Sequence, residues 1–325
     1  MLIFIYFYKG HPEPFWQYIL GNVMKTVDHI ISIFAALICM ALALNAGTVS
    51  LTLENDMLGS TDRHYTHGTR LMSTSPDCHK LFEPLFPGKE CEIGISLAQY
   101  MYTPSDIKIE EKIIGDRPYA GWLYVGLMAS MRKDNWSDFI ELDLGVTGEE
   151  SLTEEAQKIV HEWTDSAEPM GWEHQVEGTA GVGLTYIKKH KWKTEWIDLV
   201  IRGGGIVGNI NMGAGIGTQF RFGHEVPDDF GFLKMEPSSR IFSTWSLYGI
   251  VDAECRYAFY SFQFTDSIEE EYQITHEPIV CDLSVGFGAG FDCFSIVYLY
   301  NFRSKEFKEQ EEHNEFGTVS LVFEY

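Results

Sequence analysis

An alternation of apolar and polar residues with a period of two recurs along the chain from Thr48 to the last residue. In its first stretch, Val49, Leu51 and Leu53 alternate with threonine, serine and glutamate side chains. Strict alternation over this length predicts a β-strand with one apolar and one polar face. No stretch after the N-terminal region reaches the roughly 18 apolar residues that a membrane-spanning helix requires. If the chain spans a membrane, it therefore does so with strands.

Twelve such strands are predicted, at residues 48–54, 65–75, 91–101, 119–131, 136–146, 174–189, 194–207, 212–222, 241–257, 279–288, 291–302 and 317–325. A soluble sandwich gives the same alternation, but strands in lipid must close into a barrel because an open edge there finds no hydrogen-bond partner. An even strand number and segments of about ten residues, the last ending on the aromatic Tyr325, are typical of membrane barrels. We predict an all-β fold, a transmembrane antiparallel β-barrel of about 12 strands with a short helix in an extracellular loop.

The N-terminus resembles an export signal. Lys25 supplies a positive charge, residues 30–44 supply an apolar core, and small residues up to Ala46 offer cleavage points. Residues 24–46 are therefore predicted to be a signal peptide, and residues 47–325 the barrel domain. Residues 1–23 are then an upstream extension, with Met24 as the true start. The alternative is a genuine N-terminal membrane anchor.

The net charge and the cysteine spacing argue against nucleic acid and zinc as ligands. The net charge of −23 excludes nucleic acid as a partner, because a phosphate backbone needs a basic surface. The cysteine spacing matches no zinc pattern.

Cys78 and Cys91 flank one connection, and they either pair in an oxidising compartment or remain free thiols. We expect a monomer, although nothing in the sequence decides the oligomeric state.

Strand parity places three connections on one side of the predicted barrel. If the N-terminus is periplasmic, the connections at residues 57–64, 102–118 and 147–173 are all on the outer side, and they are the richest in reactive side chains. The same count makes residues 76–90 and 223–240 periplasmic, where turns are usually short. A shared outer rim for three polar connections predicts a functional site there.

The third outer connection contains a predicted helix. Ser151 and Glu154 have the spacing of a capping box, in which each side chain satisfies a free backbone amide. The apolar positions fall on one helical face and the polar positions on the opposite face. The apolar set is Leu152, Ala156, Ile159 and Trp163, and the polar set is Glu154, Gln157 and His161. Such a helix outside a barrel can lay its polar side over a site.

The first outer connection is rich in oxygen ligands and cationic groups. Asn55 and Asp56 end the first strand, and Asp62 and Arg63 follow. Oxygen ligands of this kind suit Ca²⁺, although an Asn-Asp pair at a strand end also commonly forms a turn. Taken singly, a histidine such as His161 is more often a helix-surface residue than a catalytic one, and arginines such as Arg63 and Arg117 are more often solvated or ion-paired inside the lumen.

Four motifs follow one another along the chain: ENDxxxxTDRHYTxG from Glu54, SxxQxxYTP from Ser96, GDRPYAGWLY from Gly115, and Gln157-x₃-His161 followed by Gly171-Trp172-x₂-Gln175. Together they resemble the LpxR family of outer-membrane lipid A 3′-O-deacylases. The resemblance covers residues 47–325 and departs at His67, where the family usually has asparagine. It implies a twelve-stranded outer-membrane barrel with a Ca²⁺-dependent site, facing the extracellular side, between the wall and a loop helix. The implied reaction is hydrolysis of the ester-linked 3′-acyloxyacyl group of lipid A in lipopolysaccharide.

The resemblance also implies catalytic roles for individual residues. His161 matches the catalytic histidine and would act as the general base that takes a proton from water. Gln157 would orient the histidine or a metal-bound water. Asn55 and Asp56 match residues close to the reaction centre, where Ca²⁺ would stabilise the oxyanion.

The resemblance also implies binding roles for individual residues. Asp56, Asn55 and Glu168 are the implied metal ligands, with Glu168 the weakest match because of the spacing around the following proline. Arg117 and Arg63 would hold the phosphates of lipid A, since guanidinium pairs with phosphate through two hydrogen bonds.

Two other functions fit the same sequence. One is an outer-membrane esterase of the phospholipase type on the same barrel, which mass spectrometry of both lipid classes would separate from a lipid A deacylase. The other is a non-catalytic barrel, a porin or an adhesin, which would change no lipid and bind no calcium.

Overall fold

The computed structural model describes residues 47–56, 63–76, 89–164, 166–236 and 242–324. The predicted signal peptide, the extension before it and Cys78 lie outside these ranges. Within them, no helix is both long and apolar enough to cross a membrane.

Twelve strands form one closed antiparallel barrel in which each strand pairs with its neighbours in sequence and β1 pairs with β12. The strands are β1 (Thr48–Asn55), β2 (His64–Ser75), β3 (Glu90–Thr103), β4 (Ala120–Lys133), β5 (Trp136–Thr147), β6 (Ala180–Lys193), β7 (Ile197–Gly208), β8 (Asn211–His224), β9 (Phe242–Ser261), β10 (Ile279–Asp292), β11 (Phe294–Arg303) and β12 (Asn314–Glu324). Among the described residues, two helices lie in connections, α1 (Thr153–Thr164) and α2 (Asp266–Tyr272). The predicted fold class and strand number are confirmed.

The largest difference from the predicted strands is at the start of β6. The prediction began this strand at His174, but residues Trp172–His174 form a 3-10 turn and β6 begins at Ala180. The intervening residues bond to the preceding connection instead, since the Val176 amide donates to the Tyr119 carbonyl at 2.8 Å. Alternation alone does not separate such an extended connection from a strand.

The barrel wall is apolar outside and charged inside. Leu127 and Leu144 point outward and are about half exposed, at 48% and 49%. Inside, Arg70 pairs with Glu141, and both side chains are buried. A buried charge is tolerated only when it is paired and hydrogen-bonded. The inner face of each strand therefore needs paired polar residues, whereas the outer face is apolar.

Residues 225–236, here called the lumen plug, fold back into the barrel. Phe232 and Gln219 of β8 exchange two hydrogen bonds of 2.8 and 3.0 Å between backbone and side-chain amide. Farther along the plug, the buried Glu236 accepts a hydrogen bond from Ser130 at 2.6 Å and pairs with Lys189. This connection is therefore long because it fills the lumen, which explains a length unusual for the periplasmic turn that strand parity predicted.

The three polar connections lie together, as strand parity predicted. β1, β3 and β5 all finish at one end of the barrel, here called the site end. Both described termini, Gly47 and Glu324, lie at the opposite end. Between the lumen plug and the site end the barrel holds a cavity of about 390 Å³, lined in part by the glycines of β7 and β8.

Candidate active site

The helix α1 lies against the outer wall of the barrel, in contact with β4 and β3. Gly121 of β4 is buried beneath its first turn, and a side chain there would come within 2.1 Å of the Ser151 and Thr153 hydroxyls. Gln99 of β3 donates its side-chain amide to the Ser151 carbonyl at 2.7 Å. The helix therefore starts directly on the wall, at a place where only glycine leaves room for it.

The helix begins at Thr153, one residue later than the predicted capping box requires. Residues Gly148–Ser151 form a 3-10 turn, and Leu152 then takes a left-handed conformation with φ of 56°. The Ser151 hydroxyl donates to the Gly148 carbonyl at 2.5 Å, and Glu154 pairs with Lys158 at 2.6 Å. Both members of the box are engaged elsewhere, so this detail of the prediction was wrong.

The polar side of α1 faces the barrel. Its buried residues are Thr153, Gln157 and His161, which are spaced one turn apart. The sequence predicted that the helix would lay this side over a site, and the orientation agrees with that prediction. Burial of polar groups needs hydrogen-bond partners, and the partners of Gln157 and His161 define the candidate site.

A small apolar cluster beneath α1 fixes its position. Met101, Ile107, Tyr119 and Trp172 are buried together, with Ala156 of the helix packed against them. The Tyr119 and Trp172 rings lie 4.6 Å apart between centroids. This cluster joins the end of β3, the second outer connection and the chain that follows the helix into one packed unit.

Trp172 holds Gln157 in a defined orientation. The indole Nε1–H of Trp172 donates to Gln157 Oε1 at 2.8 Å, and both side chains are almost fully buried. Because the amide oxygen faces the indole, the amide Nε2 points away from it. Among the described residues this Nε2 has no hydrogen-bond partner. A buried, oriented and unused donor is suited to binding a developing negative charge.

His161 is held through its other ring nitrogen. Nδ1 lies 2.5 Å from the Ala167 carbonyl, and the side chain is buried. A carbonyl only accepts, so Nδ1 carries a proton and donates, which in the uncharged imidazole leaves the lone pair on Nε2. This is the tautomer that a general base requires, and the connection that returns from α1 to the barrel maintains it.

Asn55 and Asp56 end β1 at the same end of the barrel. Asp56 is fully buried, and its Oδ2 accepts the backbone amide of Arg63 at 2.6 Å across the first outer connection. Along the same rim, the hydroxyls of Thr66 and Thr103 lie 2.6 Å apart and join β2 to β3. The end of β1 is thus connected through two strands to the wall on which α1 lies.

The helix α1 bridges two strands of the wall. It starts over β4, and Ala156 packs on the cluster that contains Met101 of β3. A rise of about 1.5 Å per residue places His161 about 12 Å beyond Thr153. The meeting of His161 with the end of β1 at one site stays a prediction.

The two predicted phosphate-binding arginines occupy different environments. Arg63 is partly exposed at the rim and pairs with Glu312. Arg117 is 1% exposed; it donates to Glu306 at 2.9 Å and to the Gln263 side chain. A phosphate would have to open this buried contact to reach Arg117, whereas Arg63 is accessible. Phosphate binding by either arginine stays a prediction.

Arg117, Gln263 and Glu306, here called the mouth clasp, join three connections at the site end. Burial raises the pKa of Glu306, but Arg117, Arg303 and Arg256 outweigh it and lower the pKa to about 2. The carboxylate is therefore charged at neutral pH and holds the arginine in place. The GDRPYAGWLY motif thus supplies a structural contact as well as a segment of the site.

The predicted metal site has less structural support. Glu168 is exposed, one residue beyond the carbonyl that binds His161. Within the described ranges, no group of three or more histidine, cysteine, aspartate or glutamate side chains is placed to hold a metal. Asn55 and Asp56 offer oxygens for part of a calcium shell, and a complete shell of six to eight would need carbonyls, water or substrate oxygens as well. Their roles stay predictions.

Sequence reasoning missed two contacts that organise this site. The Ala167 carbonyl fixes the tautomer of His161, and the Trp172 indole fixes Gln157. Trp172 was visible as part of a motif, but its partner was not, because the contact depends on how the chain returns beneath α1. A backbone carbonyl leaves no signal in side-chain patterns.

Comparisons with known proteins agree with this architecture. A family model described as Outer membrane protein LpxR matches residues 30–325. Among solved structures, LpxR from Salmonella typhimurium has 16% sequence identity and a TM-score of 0.72, covering 86% of this chain and 100% of that chain. The beta domain of the Bordetella autotransporter BrkA has 10% identity and a TM-score of 0.43, covering 86% and 99%. A comparison with curated proteins gave no match. Because the family model covers nearly the whole sequence, the chain belongs to the LpxR family of outer membrane proteins.

Proposed function

We propose that this protein is a lipid A 3′-O-deacylase of the outer membrane, with its site on the extracellular side. Family membership supports the location and the kind of protein. The observation that supports this reaction is the hydrogen bond from Nδ1 of His161 to the Ala167 carbonyl, which fixes the tautomer whose lone pair lies on Nε2. The site lies outside the barrel wall, where an ester of a membrane lipid can reach it without entering the lumen.

The reaction begins with proton transfer. Nε2 of His161 takes a proton from water, and the resulting hydroxide attacks the carbonyl carbon of the 3′ ester. When the tetrahedral intermediate breaks down, the carbon–oxygen bond to the sugar is cleaved, and the imidazolium returns the proton to the leaving alkoxide. The products are a 3′-hydroxyl on lipid A and the free acyloxyacyl fatty acid, so the histidine ends the cycle neutral.

The negative charge of the intermediate needs donors. The Nε2 amide of Gln157 is buried and oriented by Trp172, which makes it the protein donor that we assign to the oxyanion. We also propose Asn55 and Asp56 as ligands of a Ca²⁺ ion, which when bound would supply positive charge to the same oxygen. Glu168 is retained only as a weaker third ligand.

Recognition of the substrate phosphates is assigned first to Arg63. Its guanidinium is partly exposed at the rim and its partner Glu312 is a surface carboxylate. An exposed pair of this kind is worth little, about 0–1 kcal/mol, so a phosphate can replace the carboxylate at small cost. Arg117 would require disruption of the mouth clasp and is the less favourable of the two.

Lipid mass spectra test this proposal. The protein is expressed in a lipopolysaccharide-producing host, and lipid A and phospholipids are analysed with and without expression and with EDTA. We expect lipid A that lacks the 3′-acyloxyacyl group, an unchanged phospholipid profile, and suppression by EDTA. Unchanged lipid A beside new lysophospholipid would instead identify a phospholipase-type esterase.

The porin alternative has an independent test. Conduction needs a continuous aqueous lumen, and the lumen plug occupies part of it through Phe232 and Glu236. Planar bilayers should therefore show no steady conductance, and unchanged lipid profiles with open channels would favour the porin.

A further inference from the structure

The helix α1 carries apolar side chains that the barrel does not cover. Leu152 just before it and Trp163 near its end are each 54% exposed, and Val160 is 41% exposed. Isolated exposed apolar residues are common on protein surfaces, but a row of them on one helix marks an interaction surface. We call Leu152, Ile159, Val160 and Trp163 the α1 stripe.

The stripe is one of three distinct sides of the helix. At about 100° per residue, the buried row of Gln157 and His161 is separated by roughly a third of a turn from the row centred on Trp163. A third row, with Glu155, Lys158 and Glu162, carries only charged side chains. The helix thus offers a polar side to the wall, a charged side, and an apolar side on which Ala156 packs against the cluster beneath the helix while the stripe is left uncovered. This arrangement is typical of helices that lie in a membrane interface.

The height of α1 along the barrel axis agrees with a position in the membrane interface. Lys133 at the far end of β4 pairs with Trp136, which is 47% exposed and lies 4.2 Å from the His190 ring, between centroids. From Lys133 to Gly121, β4 rises about 30 Å along the barrel axis, at ~3.4 Å per residue and a tilt of ~40°. Outer-membrane barrels carry an apolar band about 25 Å tall between two aromatic girdles. The helix therefore lies at the upper edge of that band.

The stripe also continues the lipid-facing surface of the wall. Below Gly121 the outward positions of β4 are Leu123, Val125 and Leu127, of which the last two are 39% and 48% exposed. Consecutive outward positions are about 7 Å apart along a strand. The apolar surface of the barrel thus reaches to within about one side-chain layer of α1, so the same lipid can cover both.

We propose that the α1 stripe is buried among the acyl chains at the upper boundary of the outer leaflet, with the charged row in water. The occupant is the lipid itself. Membrane lipid would then contact the outer side of α1, the helix that carries His161. The apolar cluster around Trp172 contacts its inner side. This proposal rests on burial and position alone and does not depend on the reaction proposed above.

Tryptophan fluorescence tests the proposal directly. The protein is reconstituted into phosphatidylcholine vesicles, with or without bromine atoms on the upper part of the acyl chains, and acrylamide serves as the aqueous quencher. Subtracting the spectrum of Trp163→Phe from that of the wild type isolates the signal of this one indole. Trp136→Phe is the control for an outward-facing indole in lipid. Trp172→Phe is the control for an indole buried beneath the helix.

We expect brominated chains to reduce the Trp163 signal at least twofold, as for Trp136, and acrylamide to have little effect. The Trp172 signal should respond to neither quencher. Quenching of Trp163 by acrylamide but not by brominated lipid would place the stripe in water and overturn the proposal. Resistance to both would mean that protein covers the stripe, which overturns it equally. Heat-modifiable mobility on gels confirms that each variant is folded, and Trp163→Tyr repeats the measurement if Trp163→Phe is not.

Discussion

The lumen and the outer wall both bury polar residues, but they use them differently. In the lumen, Arg221 pairs with Asp198 of the neighbouring strand and with Asp229 of the plug, and all three side chains are buried. On the outer wall, the Ala167 carbonyl binds Nδ1 of His161, and the Trp172 indole binds Oε1 of Gln157. The lumen charges pair with one another, whereas Nε2 of the buried Gln157 amide has no hydrogen-bond partner among the described residues. From this contrast we expect stability to depend on the lumen and the proposed chemistry on the wall.

The largest effect is expected from breaking the lumen contact. Arg221→Met leaves two buried carboxylates without their cation, which should lower the free energy of unfolding by about 3–5 kcal/mol. Urea titration of the protein in detergent micelles, followed by gel mobility, measures this change. Molecules that remain folded should keep the wild-type deacylation rate, because the wall site is not touched. A variant as stable as the wild type would show that the lumen charges do not hold the barrel together.

A matched pair of substitutions tests the donor role on the wall. Gln157→Leu removes the amide assigned to the oxyanion and should lower the deacylation rate by about 10²–10³-fold. Trp172→Phe keeps an aromatic ring but removes the hydrogen bond that orients this amide, and should cost only about tenfold, the equivalent of one ordinary hydrogen bond. Rates are measured on vesicles that contain lipid A. An unchanged rate for Gln157→Leu would contradict the oxyanion assignment.

The mouth clasp is expected to contribute to the free energy of unfolding in a pH-dependent way. The folded pKa of Glu306 is about 2, below its usual value of 4.5. The charged carboxylate therefore stabilises the folded protein by about 3 kcal/mol above about pH 4.5. This stabilisation is lost as the pH falls toward 2. The difference in unfolding free energy between wild type and Glu306→Gln should shrink over this range. A difference that does not change with pH would mean that the carboxylate is not charged in the folded state.

Alternation along the strands was sufficient to predict the twelve-stranded barrel, and strand parity placed three polar connections at one end. The lumen plug was not predicted, because residues around Phe232 show no periodic pattern and their partners on β8 are known only once the barrel closes. The Cys255–Cys281 disulfide was missed for a related reason, since it depends on the register of β9 and β10.

At the candidate site, the motifs identified Gln157 and His161 but not their contacts. The burial of Arg117 depends on Glu306, which lies far along the chain in another connection, so local sequence could not distinguish a phosphate ligand from a structural clasp. Contacts between distant connections are fixed by three-dimensional packing, and a single sequence does not reveal them.

The central claim is that an imidazole on the outer wall is the base for deacylation, and His161→Ala tests it most directly. Purified wild type and variant are compared on lipid A vesicles with Ca²⁺ present, after gel mobility shows that both are folded. We expect the initial rate of release of the 3′-acyloxyacyl group to fall by about 10²–10⁴-fold, the usual contribution of a general base. A folded variant that releases this group at the wild-type rate would contradict the account.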